Sequence, residues 1–414
     1  MSSKRVVITG IGALTCVGHG RKGLWEGILR EKSGISFITR FDTSDYDAKC
    51  AGAINDFDPS QHFPPHKLKR IDRYAQFALA LSQQALDDAG LKLSPEEPRI
   101  DVGVSFGTAL GGITTAELTH ERFVREGNRA IPAALALQVF GGSAHSNICI
   151  AYGIRGYSTT NSNSCASGTV AVGEAFRCIR EGRTQVMIVG AAEAPLAPLT
   201  YGAFDTIKSK AKETKDATRA CRPFDATRTG FIMAEGGGSL IMESLEHAQA
   251  RGAHIYAEVL GYTLNNDAYH MSSSLPEGES ALESMRATLD EAKLRPDQID
   301  YINAHASSTP MNDGTEAKAV SKFFGKKTPA ISGTKAYYGH PLGASGAIEA
   351  AICCLAMEYS HIPPTLNCHE PCEEIIPGFD LVRLKGRSQP LKYVLSNSFG
   401  FGGINASLVF GKVV

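Results

Sequence analysis

The chain has 414 residues with 42 basic and 43 acidic side chains, which give a formal net charge of −1. A chain of this length buries a large core, and its balanced charge lacks the basic excess typical of proteins that bind nucleic acids or membrane surfaces. Its start, MSSKRVVITG, lacks a signal-peptide pattern, and its longest apolar segment, 347–357, is too short to cross a bilayer. Ten cysteines in so long a chain do not indicate a disulfide scaffold, so we expect a soluble cytoplasmic protein.

Strand-like runs alternate with helical patterns along the chain. The sequence predicts strands at 5–12, 101–108, 185–194 and 301–307. It predicts helices at 73–90, where Gly90 provides the stop, and at 168–182 and 343–357. This alternation indicates an α/β protein with mostly parallel sheets.

Three pairs of segments resemble each other and occur in the same order in the two halves of the chain. The pairs are ALDDAGL (85–91) before the strand IDVGVSFG with TLDEAKL (288–294) before IDYINAHA, CASGTVAVGEAFRCI (165–179) with GASGAIEAAICCLAM (343–357), and GGGSLIM (236–242) with GFGGINASLVF (400–410). One match between Ala-rich helices can arise by chance, but a shared order is less easily accidental. The sequence therefore predicts two similar halves, 1–255 and 256–414.

Two motifs that superficially resemble ligand sites are better explained as structure. The segment ITGIGALTCVG (8–18) has Thr15 where a dinucleotide fingerprint needs its third glycine, so a strand and a tight turn are expected. The segment CHEPC (368–372) has no second ligand pair at zinc spacing, so we predict no metal site.

Four polar residues stand at the ends of predicted elements. Cys165 opens a helix, where the macrodipole and free N–H groups lower a thiol pKa, and His305 directly follows a strand. Lys335 and His340 lie in the Gly-rich loop 332–346, which corresponds by the repeat to the loop of Cys165. A pseudo-two-fold relation between the halves would bring both helix starts to one catalytic site.

The combination of motifs resembles the β-ketoacyl-acyl carrier protein synthases of the thiolase superfamily, in particular the elongating type II enzymes of fatty acid and polyketide assembly. The resemblance covers essentially the whole chain, and its motifs are CASG (165–168), RPFDATRTGFIMAEG (222–236), NAHASSTP (303–310), GTKAYYGH (333–340) and SFGFGG (398–403). It implies a duplicated, five-layered α/β/α/β/α fold, in agreement with the internal repeat.

The resemblance also implies catalytic roles. Cys165 would accept an acyl chain as a thioester, and His305 and His340 would promote decarboxylation of the malonyl extender and stabilise the enolate. The backbone N–H groups of Cys165 and Phe401 would form the oxyanion hole, and the Phe401 ring would act as a gate. Lys335 would pair with Glu316.

Substrate contacts follow from the same resemblance. Ser307 and Thr309 match positions that bind the phosphopantetheine arm, and the acyl pocket would be lined by Leu110, Phe204 and Phe399. No metal or organic cofactor is expected, because the arm of the acyl carrier protein delivers the substrate. A basic cluster, Lys67, Lys69, Arg70 and Arg73, is the candidate docking surface for that acidic carrier, although an ordinary exposed helix face is the alternative.

Two other functions stay open beside the condensing enzyme. A thiolase-like acyltransferase on coenzyme A esters would need a second cysteine in the C-terminal glycine loop, where this chain has none. A non-catalytic subunit that sets chain length would lack the nucleophilic cysteine. A homodimer is expected, with a heterodimer containing a related subunit as the alternative. Asn163-Ser164 and Tyr337-Tyr338 depart from the usual family pattern, which leaves the acyl substrate open.

Overall fold

Ten strands dominate the computed structural model, which describes residues 3–213 and 215–413. They are β1 Val6–Thr15, β2 Val102–Gly107, β3 Ser158–Asn161, β4 Val186–Glu193, β5 Gly236–Ser244, β6 Ala257–Asn266, β7 Tyr301–Asn303, β8 Ala330–Ser332, β9 Tyr393–Gly400 and β10 Ile404–Gly411. Two-residue strands lie at Gly18–His19, Ser36–Phe37, Cys50–Ala51, His361–Ile362 and Arg387–Ser388.

The longer helices lie between these strands in the chain, one or two at a time, except that β10 directly follows β9. They are α1 Gly20–Leu29, α2 Arg73–Ala89, α3 Ile113–Glu126, α4 Ser143–Tyr152, α5 Ser167–Arg180, α6 Pro198–Thr206, α7 Leu245–Ala250, α8 Glu279–Ala292, α9 Pro310–Phe324 and α10 Ser345–Tyr359. Short helical segments occur at Pro65–Leu68, Leu135–Val139 and Lys335–Tyr338, and 3₁₀ turns at Pro59–Gln61, Gly127–Ala130, Ser164–Ala166, Ala217–Arg219, Pro296–Gln298 and Leu342–Ala344.

The strand order repeats between the first five and the last five strands. The first set runs β3-β2-β4-β5-β1 and the second β8-β7-β9-β10-β6. In each set the first three strands are parallel and the next two pairings are antiparallel. The expectation of mostly parallel sheets is therefore wrong, because both sets are mixed.

The matched sequence segments occupy equivalent elements of the two sets. The ends of α2 and α8 precede β2 and β7, and the starts of α5 and α10 carry the two Ala/Gly-rich motifs. The sets join where β1 pairs antiparallel with β6 over three residues. A boundary at 255/256 falls between α7 and β6 and stays a proposal.

Helices α5 and α10 form a buried middle layer. They pack against each other and against strands of both sets, while α2 covers the outer face of the first set and α8 that of the second. A Cβ at Gly346 would lie 2.0 Å from Thr169 Oγ1, and one at Gly168 would lie 2.5 Å from the Ala347 nitrogen, so the close crossing requires glycine at both positions. One segment, Leu342–Tyr359, is long and apolar enough to span a membrane, but 89% of it is buried inside the fold.

Candidate active site

Cys165 lies where the chain passes from β3 into α5. It occupies the short turn Ser164–Ala166 that precedes the helix, and its side chain is buried. Burial raises the pKa of the Cys165 thiol, against the opposing effects of Ser164, the Phe401 N–H and the Lys335 charge. The net direction is therefore opposite to the lowering expected from the sequence, because desolvation of the thiolate is the largest effect.

His305 and His340 face each other beside this turn. His305 follows β7, His340 precedes α10, and their ring centroids are 5.3 Å apart at an interplanar angle of 80°. Both imidazoles are buried. Burial, together with the positive charge of Lys335, lowers both pKa values well below 6.5, so both rings are uncharged at neutral pH.

The two imidazoles differ in their hydrogen bonds. His340 Nδ1 and Ser345 Oγ are 2.8 Å apart, which fixes the ring of His340 at the start of α10. His305 Nδ1 is buried and has no hydrogen-bond partner among the described residues. A buried polar atom without a partner is rare in folded proteins and is expected where a ligand group supplies the missing bond.

Lys335 is fully buried and pairs with Glu349, which corrects the expected pairing with Glu316. Its ammonium also donates to the His305 carbonyl oxygen at 2.5 Å. Glu316 instead accepts the backbone N–H groups of His305 and Ala306 at 2.9 and 2.8 Å. Burial raises the Glu316 pKa to about 7, despite these two bonds. Glu316 therefore orients the His305 loop through two backbone N–H groups, and Lys335 holds the same loop through the His305 carbonyl.

Cys165, His305 and His340 line one pocket that opens to solvent. It is lined by Cys165, Phe231, Ser272, Ser273, Ser274, His305, Ser307, Thr309, Met311, Asn312, His340, Leu342, Phe399, Gly400, Phe401 and Gly403. The structure thus brings together the cysteine, both histidines and both predicted hydroxyl groups, those of Ser307 and Thr309. The Ser272–Ser274 loop was not anticipated, because nothing in its composition distinguishes it from an ordinary exposed loop.

The hydroxyl groups of Ser307 and Thr309 lie at the wall of this cavity, 2.9 Å apart. Thr309 also caps α9 by accepting the Asn312 N–H at 3.3 Å. Its position is therefore fixed by the helix start, while the hydroxyl of Ser307 is oriented by Thr309.

Aromatic rings close one side of the cavity. Phe204 stacks on Phe401 with centroids 6.3 Å apart, and it meets the Phe231 ring edge-on at 5.9 Å. Phe231 in turn contacts the His340 ring at 5.4 Å. Leu110 and Phe204 do not line the cavity itself, but they pack in the apolar cluster behind Phe231.

The predicted basic cluster divides into two parts. Lys67, Lys69 and Arg70 are exposed. Lys67 and Arg70 border a groove that is also lined by Leu137, Phe140 and Ile150. Arg73 instead contacts the buried carboxylate of Glu235 at 3.2 Å and donates to the Ile54 carbonyl at 2.7 Å. Arg73 is thus engaged within the fold, which corrects its assignment to a docking surface.

Three residues that shape the site were not predicted from the sequence. Phe231 and Ser345 carried no distinctive signal, because a phenylalanine and a serine near glycines are ordinary. Glu349 did carry one, since a single carboxylate within an apolar helical segment requires a buried partner.

Comparisons with known proteins match both halves of the chain to the same family. The family model of the β-ketoacyl synthase N-terminal domain matches residues 3–248, and that of the C-terminal domain matches residues 256–369. The chain is 39% identical to 3-oxoacyl-[acyl-carrier-protein] synthase 2 of Staphylococcus aureus (strain COL), covering 99% of both chains. It is equally identical to the Synechocystis enzyme of that name, covering 100% of this chain and 99% of the relative.

Solved structures show the same fold. A β-ketoacyl synthase from Burkholderia phymatum STM815 superposes with a TM-score of 0.93 at 31% identity, covering 99% of this chain and 100% of the other. The ishigamide ketosynthase/chain length factor gives 0.92 at 33% identity. A type II polyketide ketosynthase, solved with its acyl carrier protein and bound to the hexaketide, gives 0.90 at 33% identity; both cover each chain fully. The chain has the thiolase-like fold, belongs to the β-ketoacyl synthase family and is a condensing enzyme of fatty acid or polyketide synthesis.

Proposed function

We propose that this condensing enzyme extends a carrier-bound acyl chain by two carbons and uses Cys165, His305 and His340 to do so. The observation that carries the proposal is the meeting of one buried thiol, two uncharged imidazoles and the Phe401 N–H at a single cavity. Each of these groups is suited to a different step of the same reaction.

In the first step, the Cys165 sulfur bonds to the carbonyl carbon of the acyl thioester. The carrier thiol leaves and takes the proton that Cys165 loses, so the acyl group ends as a thioester on the enzyme. The backbone N–H groups of Cys165 and Phe401 stabilise the transient oxyanion. The Phe401 ring, stacked on Phe204, must move to admit a longer chain past the aromatic wall.

In the second step, a malonyl thioester loses CO₂, and the electron pair of the broken bond becomes an enolate. Uncharged His305 and His340 donate hydrogen bonds to the enolate oxygen. The enolate carbon then bonds to the Cys165-bound acyl carbon, and Cys165 leaves as a thiolate that takes up a proton. Lys335 holds the His305 loop, and burial together with the Lys335 charge keeps both imidazoles uncharged.

We propose that the acyl carrier protein docks at Lys67, Lys69 and Arg70 and passes its arm along Ser307 and Thr309. The three cations are exposed, and the two hydroxyl groups line the cavity that leads to Cys165. A structural neighbour is a complex of a ketosynthase with its carrier, which supports the same kind of partner here. The carrier's arm is then the only prosthetic group that the reaction requires, and the cytoplasm is its expected location.

We further propose that a second copy of this chain covers an exposed apolar face next to β3. Strand β3 is an edge strand, helix α4 packs on it, and Leu137 and Ile150, which border one groove at α4, are 67% and 73% exposed. Such a concentration of apolar side chains beside an unpaired strand edge is typical of an interface. A related subunit is the alternative occupant.

Treatment with cerulenin followed by intact-mass analysis tests the catalytic assignment. A single adduct that maps to Cys165 is expected, and the Cys165→Ala variant should remain unmodified. An absence of adduct would favour a partner subunit that only sets chain length. Rapid cleavage of acetoacetyl-coenzyme A would instead favour the thiolase-like alternative.

A further inference from the structure

The loop that carries Cys165 is held by a chain of side-chain hydrogen bonds. Asn163 donates to Asn161 Oδ1 at 3.1 Å, and Asn161 donates to the Ser167 carbonyl at 3.1 Å. Ser167 Oγ donates to the Ser164 carbonyl at 2.8 Å. These bonds hold Ser164 at φ +50°, a left-handed conformation that is uncommon for serine.

This conformation directs the Ser164 side chain toward the nucleophile. Ser164 Oγ lies 3.9 Å from Cys165 Sγ, within the range in which a hydroxyl donates to sulfur. The Phe401 N–H points to the same sulfur from β9 and its following turn. The closeness of that strand is set at Gly400, where a Cβ would lie 3.2 Å from the Cys165 nitrogen.

We propose that Ser164 is a positioning residue whose hydroxyl donates to the Cys165 sulfur and favours the thiolate. The inference rests on the proposed role of Cys165 as the nucleophile. Burial disfavours the thiolate form of Cys165. A hydrogen bond from the adjacent Ser164 hydroxyl offsets part of this effect. The same bond stabilises Cys165 when it leaves as a thiolate at the end of condensation.

Other charged and titratable groups around the sulfur do not replace this donor. The Lys335 charge favours the thiolate from a distance. Its ammonium contacts Glu349 and the His305 carbonyl rather than the Cys165 sulfur. Glu193 has the opposite effect and favours the neutral thiol. His305 and His340 line the same cavity, and both are uncharged.

The loop offers a matched control for Ser164. Ser162 precedes it by two residues and is exposed, and its hydroxyl donates to the Ala109 carbonyl at 3.2 Å rather than to sulfur. Ser164→Ala and Ser162→Ala each remove one hydroxyl group from the same loop, and alanine leaves the backbone preference at φ +50° nearly unchanged. Only the first substitution removes the bond to Cys165.

The test is the pH dependence of Cys165 alkylation by iodoacetamide, followed by intact mass with peptide mapping of the modified site. For Ser164→Ala, the alkylation midpoint should rise by roughly one to two pH units, as expected for loss of one hydrogen bond to the ionised form. Ser162→Ala should retain the original midpoint. Ser164→Gly, which also relieves the positive φ, should shift as Ser164→Ala does and serves if the alanine variant fails to fold.

Two results would overturn the proposal for Ser164. One is an unchanged midpoint in the Ser164 variants, and the other is an equal shift in Ser162→Ala, which would indicate a general effect on the loop. A Cys165 that resists alkylation at every pH in the unsubstituted enzyme would instead overturn the proposed function on which this inference rests.

Discussion

Buried charged residues influence the protonation of the two histidines at the candidate site. Lys335 and Glu349 are both fully buried and form an ion pair, and Lys335 also contacts the His305 carbonyl. Burial and, second to it, the positive charge of Lys335 lower the pKa of both His305 and His340. The histidines can then serve as hydrogen-bond donors to an enolate without becoming cations at neutral pH.

Replacing either histidine should impair decarboxylation more than acyl transfer. In His305→Ala or His340→Ala, one donor to the enolate oxygen is lost, and loss of one such donor lowers kcat by about 10²–10³-fold. Release of CO₂ from malonyl thioester should fall by this amount, while Cys165 acylation is partly retained. Equal losses in both half-reactions would contradict separate roles.

Removing one member of the Lys335–Glu349 pair should destabilise the protein more than removing both. Lys335→Met leaves the Glu349 carboxylate unpaired in the core, with an expected cost of about 3–5 kcal/mol in unfolding free energy. In the double variant with Glu349→Met, much of this loss should be recovered. Urea unfolding of both variants measures the difference, and a double variant as unstable as the single one would argue against a direct pair.

Two equivalent helix starts position Cys165 and His340 at the candidate site. Helix α5 follows the turn of Cys165, and α10 follows the loop of His340. Their close crossing at Gly168 and Gly346 brings these two starts to one cavity. The proposed catalytic residues Cys165 and His340 thus lie near the starts of equivalent helices, whereas His305 follows β7.

Gly346→Ala should loosen this crossing. The added Cβ would lie 2.0 Å from Thr169 Oγ1 and 2.6 Å from the Thr169 nitrogen, so the helices must separate, at an expected cost of about 1–3 kcal/mol. Gly23→Ala in α1 is a matched control, since its Cβ meets nothing closer than 3.4 Å. Thermal unfolding should show a loss of stability for the first variant and none for the second.

The helices of the middle layer could be predicted from sequence because their pattern is local. The predicted segments 168–182 and 343–357 correspond to Ser167–Arg180 and Ser345–Tyr359. The sheet directions could not be read in this way, because pairing depends on contacts between distant strands. The choice of Glu349 over Glu316 as the partner of Lys335 is likewise a matter of three-dimensional packing. The net effect on the Cys165 pKa required knowledge of its burial.

The two proposed partners, the acyl carrier protein and a second copy of the chain, would bind to neighbouring parts of the outer surface. The exposed cations Lys67 and Arg70 border a groove that also includes the apolar Leu137 and Ile150. The proposed carrier surface and the proposed subunit interface are therefore neighbours. This arrangement would place an arriving carrier close to the boundary between two copies of the chain.

Charge reversal separates carrier docking from chemistry. Lys67→Glu with Lys69→Glu should raise the apparent KM for carrier-bound substrate far more than for a free thioester mimic, because only the carrier uses these charges. Reversal of the exposed Lys326 and Lys327, near the β8 end of the strand path, is the matched control. Equal effects on both substrates would rule out docking at this cluster.

The proposed role of Cys165 as the carrier of the growing chain can be measured by intact-mass analysis of the enzyme after incubation with a panel of acyl-carrier thioesters. We expect one acyl adduct per chain, mapped to the peptide containing Cys165 and absent from Cys165→Ala, which should still release CO₂ from malonyl thioester. Acylation at another residue, or condensation that continues in Cys165→Ala, would rule out this role.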